Sequence, residues 1–181
     1  LWGFQRNEPA GTSPPEAEIQ KLLEQNPSMA DIEIDGVRMR SRNPAVRLDL
    51  GAYAKGYGLD RIVENLRNLG VKNALLNAGG DLRAFGQRGD RPWRIGIRHP
   101  RLDGIIASVD VVGDESVFTS GDYERYFDEK NRRQHHIIDP RTGRPTSHGL
   151  ASVTVIDRRC IGADAWATAL MVLGPEDGLA L

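Results

Sequence analysis

At 181 residues the chain can bury a core as one domain or slightly more. Its 39% hydrophobic and 27% charged residues are ordinary for a globular protein, and a net charge of -1 excludes the basic excess of a bulk nucleic-acid binder. Cys160 is the single cysteine, which excludes an intrachain disulfide and a cysteine-based metal cluster, and no apolar run is long enough for a transmembrane helix.

Near the start, Ser13-Pro14-Pro15-Glu16 reads as a capping box with proline in the first turn. It predicts a helix through Ile19, Leu22 and Leu23 that stops near Pro27. Residues Ile32 to Arg40 alternate around Asp35-Gly36, a hairpin signal. Val46 to Leu50 reads as a strand that delivers Asp49 into a small-residue turn through Gly51, Ala52 and Ala54. Lys55 follows, with Gly56 opening a helix whose apolar positions are Leu59, Ile62, Val63, Leu66 and Leu69, capped by Gly70. Ala74 to Leu76 predicts a strand running into Asn77-Ala78-Gly79-Gly80-Asp81.

Strands are then expected at Trp93 to Arg98, Ile105 to Val112 and Ser116 to Thr119. Tyr123 to Phe127 and His135 to Ile138 suggest a hairpin across Asp128 to Arg132, and Ala151 to Ile156 a further strand. Ile161 to Leu173 predicts a helix rich in small residues, ended by Gly174-Pro175. The order implies an α+β fold with mixed, largely antiparallel sheets flanked by helices, in one compact unit. The chain begins without methionine or a signal peptide and closes on what reads as the start of another helix, so a fragment incomplete at both ends is expected.

Four segments bear on chemistry. The turn before Lys55 has the small residues that admit a ligand close to the backbone, and a helix N-terminus beside a lysine favours anionic oxygen. On the last helix Asp164 and Thr168 stand at i and i+4, so a carboxylate and a hydroxyl share one face. That pair suits a hard cation such as Mg²⁺, although on the spacing alone Asp164 capping the helix and Thr168 bonding its own i-4 carbonyl is the simpler account. Asn77 to Asp81 is a turn at a strand end, with Asp81 able to position a neighbour. His135 and His136 precede Asp139-Pro140-Arg141-Thr142-Gly143, and either imidazole has the titration range of a general base. Ser120, in Thr119-Ser120-Gly121-Asp122-Tyr123, lacks the setting of a nucleophile elbow.

Taken in order, these segments resemble the ApbE family, the FAD:protein FMN transferases, along the whole of Leu1 to Leu181. The resemblance implies a Mg²⁺-dependent transfer of FMN from FAD to a Thr or Ser hydroxyl of an acceptor flavoprotein subunit, with release of AMP. It implies FAD contacts from Asp49, Lys55 and Ile138. It also implies metal ligation by the side chains of Asp164 and Thr168, by the backbone carbonyl of Ala52 and by that of Ala167 as a further ligand. His136 is nominated as the base, with a metal-bound hydroxide as the alternative. By the same resemblance the chain is the C-terminal portion of an ApbE-like domain in a lipid-anchored protein on the periplasmic face of the bacterial inner membrane. The departures are Tyr53, where an aliphatic residue is common, and the lack of the N-terminal part that carries further FAD contacts. Two other functions stay open: an FAD pyrophosphatase producing FMN and AMP, and a non-catalytic FAD-binding protein.

Overall fold

A computed structural model describes residues 1–5 and 11–181. The chain divides into two compact units, one made of Leu1–Asp49 with Arg125–Thr146, the other of Leu50–Glu124 with Ser147–Leu181.

In the first unit the helix α1 spans Glu16–Leu23. Ser13 does not cap it: its N–H and hydroxyl donate to Glu129 at 3.2 and 2.5 Å, and Pro15 holds the N-cap position without a side-chain bond. The expected capping box is thus overridden by a carboxylate 116 residues away. A capping box does form at Ser28 and Asp31, before the hairpin β1 (Ile32–Asp35) and β2 (Arg38–Ser41). Val46 to Leu50 is not a strand, since no ladder partner reaches it among the described residues, and Leu48 and Leu50 are exposed. The core of this unit is Trp2, Phe4 and Ile19, with Leu23, Phe127 and Ile138 packed against them. Burial of the Trp2 ring leaves its indole N–H to be satisfied, and it donates to Gly143 O at 2.8 Å.

In the second unit α2 (Ala54–Asn68) starts one residue before Lys55, so Gly56 lies inside its first turn. Its C-terminus closes as expected, with Gly70 N–H donating to Arg67 O and Val71 N–H to Leu66 O. Then come β3 (Ala74–Ala78) and β4 (Asp81–Gly86). The turn between them is Gly79-Gly80 with φ of 66° and 99°, a two-residue hairpin turn that only glycines enter without strain. The strands β5 (Trp93–Arg98) and β6 (Ile105–Val111) form a separate hairpin, followed by β7 (Gly113–Gly121).

Returning to the first unit, β8 (Tyr126–Glu129) and β9 (Arg132–His135) pair around Lys130-Asn131, both with positive φ. This turn is tighter than the five-residue connection expected, which draws the strands inward. Ile138 leaves that hairpin and pairs with Pro145 in the short ladder β10 (Ile138–Asp139) with β11 (Arg144–Pro145). The chain finishes in the second unit with β12 (Ser152–Asp157) and α3 (Cys160–Leu179). In α3 Gly174, at φ 82°, breaks the ladder at the predicted stop and Pro175 restarts it.

A four-stranded antiparallel sheet of order β12-β7-β4-β3 organises the second unit. Successive side chains of β7 point to opposite faces. Phe118 meets Leu59, Cys160 and Ala163 beneath α2 and α3, while Val117 meets Ile95 and Val111 of the β5-β6 hairpin. The sheet is therefore covered on both faces, and α3 packs on β7, β12 and α2. The architecture is the expected α+β class of small antiparallel sheets with three helices.

Candidate functional site

The N-terminus of α2 and the first turn of α3 meet through backbone contact. A Cβ on Gly56 would lie 2.5 Å from Cys160 O and 2.7 Å from Ile161 Cα, so only glycine permits this crossing. The approach puts the Gly56 N–H within 2.9 Å of Asp164 Oδ2 across 108 residues of sequence. This N–H is among those a helix leaves without an intrahelical acceptor in its first turn. Asp164 therefore does not cap its own helix; it satisfies a donor of α2.

Asp164 is buried, with 5% of its surface exposed. Burial pushes its carboxyl above the ordinary carboxylate range, and the Asp81 charge pushes the same way, while the Gly56 N–H and Lys55 pull it down. Among the described residues Asp164 accepts hydrogen bonds only on Oδ2. One turn along α3, Thr168 Oγ1 lies 2.9 Å from Ser120 Oγ at the end of β7, instead of bonding back to its own helix. Ala167, between them, is buried inside the helical ladder.

Lys55 is half exposed and forms an ion pair with Asp81, the first residue of β4. Asp81 is itself buried, and its other oxygen accepts the Thr119 N–H at 3.0 Å. The lysine is therefore held from below, its ammonium tied to the sheet, and does not sweep freely over the turn. Ala52 is the half-buried residue of an otherwise exposed turn that leads into α2, and the Leu50 carbonyl receives the N–H groups of Tyr53 and Ala54. Tyr53 and Tyr57 stack one helical turn apart, with ring centroids 6.3 Å apart and planes within 8°.

Ala52, Lys55, Asp164, Ala167 and Thr168 all belong to the second unit, and the Gly56 bond links the first turn of α2 to Asp164. Asp49, His136 and Ile138 belong to the first unit. Asp49 is exposed on an irregular segment. Ile138 packs partly against the aromatic core. The half-buried His136 has Nδ1 at 3.3 Å from Arg125 O. A carbonyl only accepts, so Nδ1 carries the proton in the neutral ring and the basic lone pair is on Nε2. Neighbouring His135 is buried, with Nε2 donating to Thr146 O at 3.1 Å.

Sequence reasoning missed three contributors. Asp60, on α2, accepts the N–H groups of Cys160 and Ile161 at 2.9 and 3.1 Å. Ser120 pairs with Thr168, and Asp81 anchors Lys55. The Asn77 to Asp81 turn marked Asp81 only in general terms as able to position a neighbour, and nothing local marked Asp60, a polar position on an amphipathic helix.

No cluster of three or more His, Cys, Asp or Glu side chains suited to a metal exists among the described residues. Any ion here would rely on one carboxylate, a hydroxyl and backbone carbonyls. That all-oxygen set fits a hard divalent cation that retains several waters, and among the described residues no donor bonds Asp164 Oδ1 in competition with it.

The ApbE family model matches residues 1–181. An FAD:protein FMN transferase of Rhodobacter capsulatus is 47% identical over 97% of this chain and 34% of its own length. One from Vibrio cholerae is 38% identical over 100% of this chain and 54% of its own length. The crystal structure of an ApbE protein from Thermotoga maritima superimposes with a TM-score of 0.89 at 37% identity, covering 99% of this chain and 58% of that one. The apo form of the Pseudomonas stutzeri flavinyl transferase ApbE gives 0.82 at 40% identity, covering 99% and 56%. The chain therefore spans between about a third and about half of the length of these curated relatives.

Proposed function

This chain belongs to the ApbE family, and we propose that it carries the metal-binding part of an enzyme that transfers FMN from FAD to a Ser or Thr hydroxyl of an acceptor protein, releasing AMP. One observation supports this reading above the others. The Gly56 N–H bond to Asp164 ties the small-residue turn and its lysine to the hydroxyl and carboxylate of α3. The relatives are named for this transfer.

Asp164 and Thr168, with the carbonyl of Ala52 and a further one from Ala167, would hold Mg²⁺. Once bound there, the cation would supply charge neutralisation for the pyrophosphate oxygens of FAD. Lys55 adds a cation whose position Asp81 fixes, and the first turn of α2 adds its positive dipole end. Asp49 and Ile138 are proposed as further FAD contacts. The acceptor hydroxyl oxygen forms a bond to the FMN phosphorus as that phosphorus parts from the bridging oxygen, which leaves with AMP. His136 is proposed as the base that takes the hydroxyl proton. A lipid anchor on the periplasmic face of the inner membrane is proposed from the family, and fractionation of cells expressing the full-length protein tests it.

The test is mass spectrometry of a candidate acceptor domain after incubation with full-length protein, FAD and Mg²⁺. A mass gain equal to FMN is expected, and Asp164→Ala should abolish it without unfolding the protein. Free FMN without an adduct would identify hydrolysis instead, and full transfer by the Asp164→Ala variant would remove the ligand assignment.

A further inference from the structure

The α2–α3 crossing has three points of attachment, and one of them has no local reason to exist. Gly56 and Asp60 are one helical turn apart on the same face of α2. Gly56 touches the Cys160 backbone and donates to Asp164. Asp60 places its two carboxylate oxygens on the successive N–H groups of Cys160 and Ile161. Those are the first N–H groups of α3, and the helix supplies no cap of its own, since Arg159 at its N-cap makes no side-chain bond. A carboxylate on orphan N–H groups at the positive end of a helix is a charge-assisted bond. Here it comes from another helix, 100 residues earlier.

Asp164 lies one turn beyond Cys160, so whatever fixes the first turn of α3 fixes Asp164 and, one further turn on, Thr168. We propose that Asp60 is a positioning residue for the metal site. It sets the height of α3 along α2 and thereby the reach of Asp164 and Thr168 toward a divalent cation. The inference rests on the metal-site reading above. It differs from a plain stability role in one respect: loss of Asp60 should change metal affinity more than an equally destabilising change elsewhere on α2.

The experiment compares full-length wild type with Asp60→Asn, Asp60→Ser, Val63→Ala and Asp164→Ala. Asn keeps one acceptor and turns an amide toward the other N–H, whereas Ser keeps a short capping oxygen. Binding of Mn²⁺ alone is read by electron paramagnetic resonance of the free ion, and FMN transfer is measured in parallel. Asp60→Asn and Asp60→Ser should weaken Mn²⁺ binding on the order of tenfold, the scale seen when groups behind metal ligands are removed. kcat should fall by a similar factor while KM for FAD stays within about twofold. Val63→Ala, which hollows the core under α2, should lower the melting temperature and leave Mn²⁺ affinity unchanged. If both Asp60 variants bind Mn²⁺ as wild type does while Asp164→Ala does not, the positioning role is wrong and the metal site stands. If Asp164→Ala also binds Mn²⁺ normally, the metal-site reading itself falls. Should Asp60→Asn fail to fold, Asp60→Ser decides the matter.

Discussion

Asp164 shows how one residue can be read from sequence in kind but not in role. The i, i+4 spacing with Thr168 was visible, and so were the capping and back-bonding explanations that compete with it. What separates them is a partner on another helix, the Gly56 N–H, which no local pattern encodes. The burial that this partner requires has a cost. Because burial raises the Asp164 carboxyl above its unfolded value, the folded protein holds this proton more tightly than the unfolded chain. Stability is therefore lost from this group as pH rises through the acid range, and the charge is a liability at neutral pH. Asp164→Asn keeps the acceptor for Gly56 and removes the charge. It should raise the melting temperature at pH 7.5 in chelator. The gain should shrink to nothing by pH 4. Calorimetry at the two pH values checks it, and a variant no more stable than wild type at pH 7.5 would show that the carboxylate is not strained by burial.

At the scale of elements, strong periodicities were legible and long-range overrides were not. The spacing of α2, the stop at Gly174 and the strands β3, β7 and β12 could be placed from residue order because local and tertiary preferences agree there, whereas β4 is not expected and its first residue reads as part of a turn. They disagree at Ser13, whose hydroxyl is taken by Glu129, and at Val46 to Leu50, whose alternation finds no partner strand. The glycines of α2 make the same distinction measurable. Gly56 and Gly58 look alike in sequence, yet a Cβ on Gly56 would collide with the α3 backbone while one on Gly58 would meet nothing within 4 Å. Gly58→Ala should stabilise by about 0.5–1 kcal/mol, through lower unfolded-state entropy and better helix propensity. Gly56→Ala should destabilise by about 2 kcal/mol or more, because backbone cannot rotate out of the way as a side chain can. Denaturant melts of the two variants test this pair, and an equal effect of both would mean that the helices are not in backbone contact.

Over the whole molecule, the family motifs were legible because they are long and occur in a fixed order, whereas the assignment of their residues to two units was not. Asp49 and Ala52 are three positions apart in sequence and fall on either side of that division. The same blindness applies to Cys160. In sequence it was only the reason to exclude disulfides. In the fold its surface is fully covered, at the first residue of α3, and burial followed by its contact with Asp60 pushes the thiol up to about 12. A sulfur that is shielded and protonated does not react with an alkylating reagent until the first turn of α3 lifts away from α2. The protein thus contains its own chemical clock. With no other cysteine in these 181 residues to confuse the count, the rate of labelling in native buffer reads the frequency with which the two helices part. Alkylation of this chain should be slow until denaturant is added, and Asp60→Asn should quicken it in native buffer. Prompt labelling of the untouched wild type would mean that the crossing is open for much of the time.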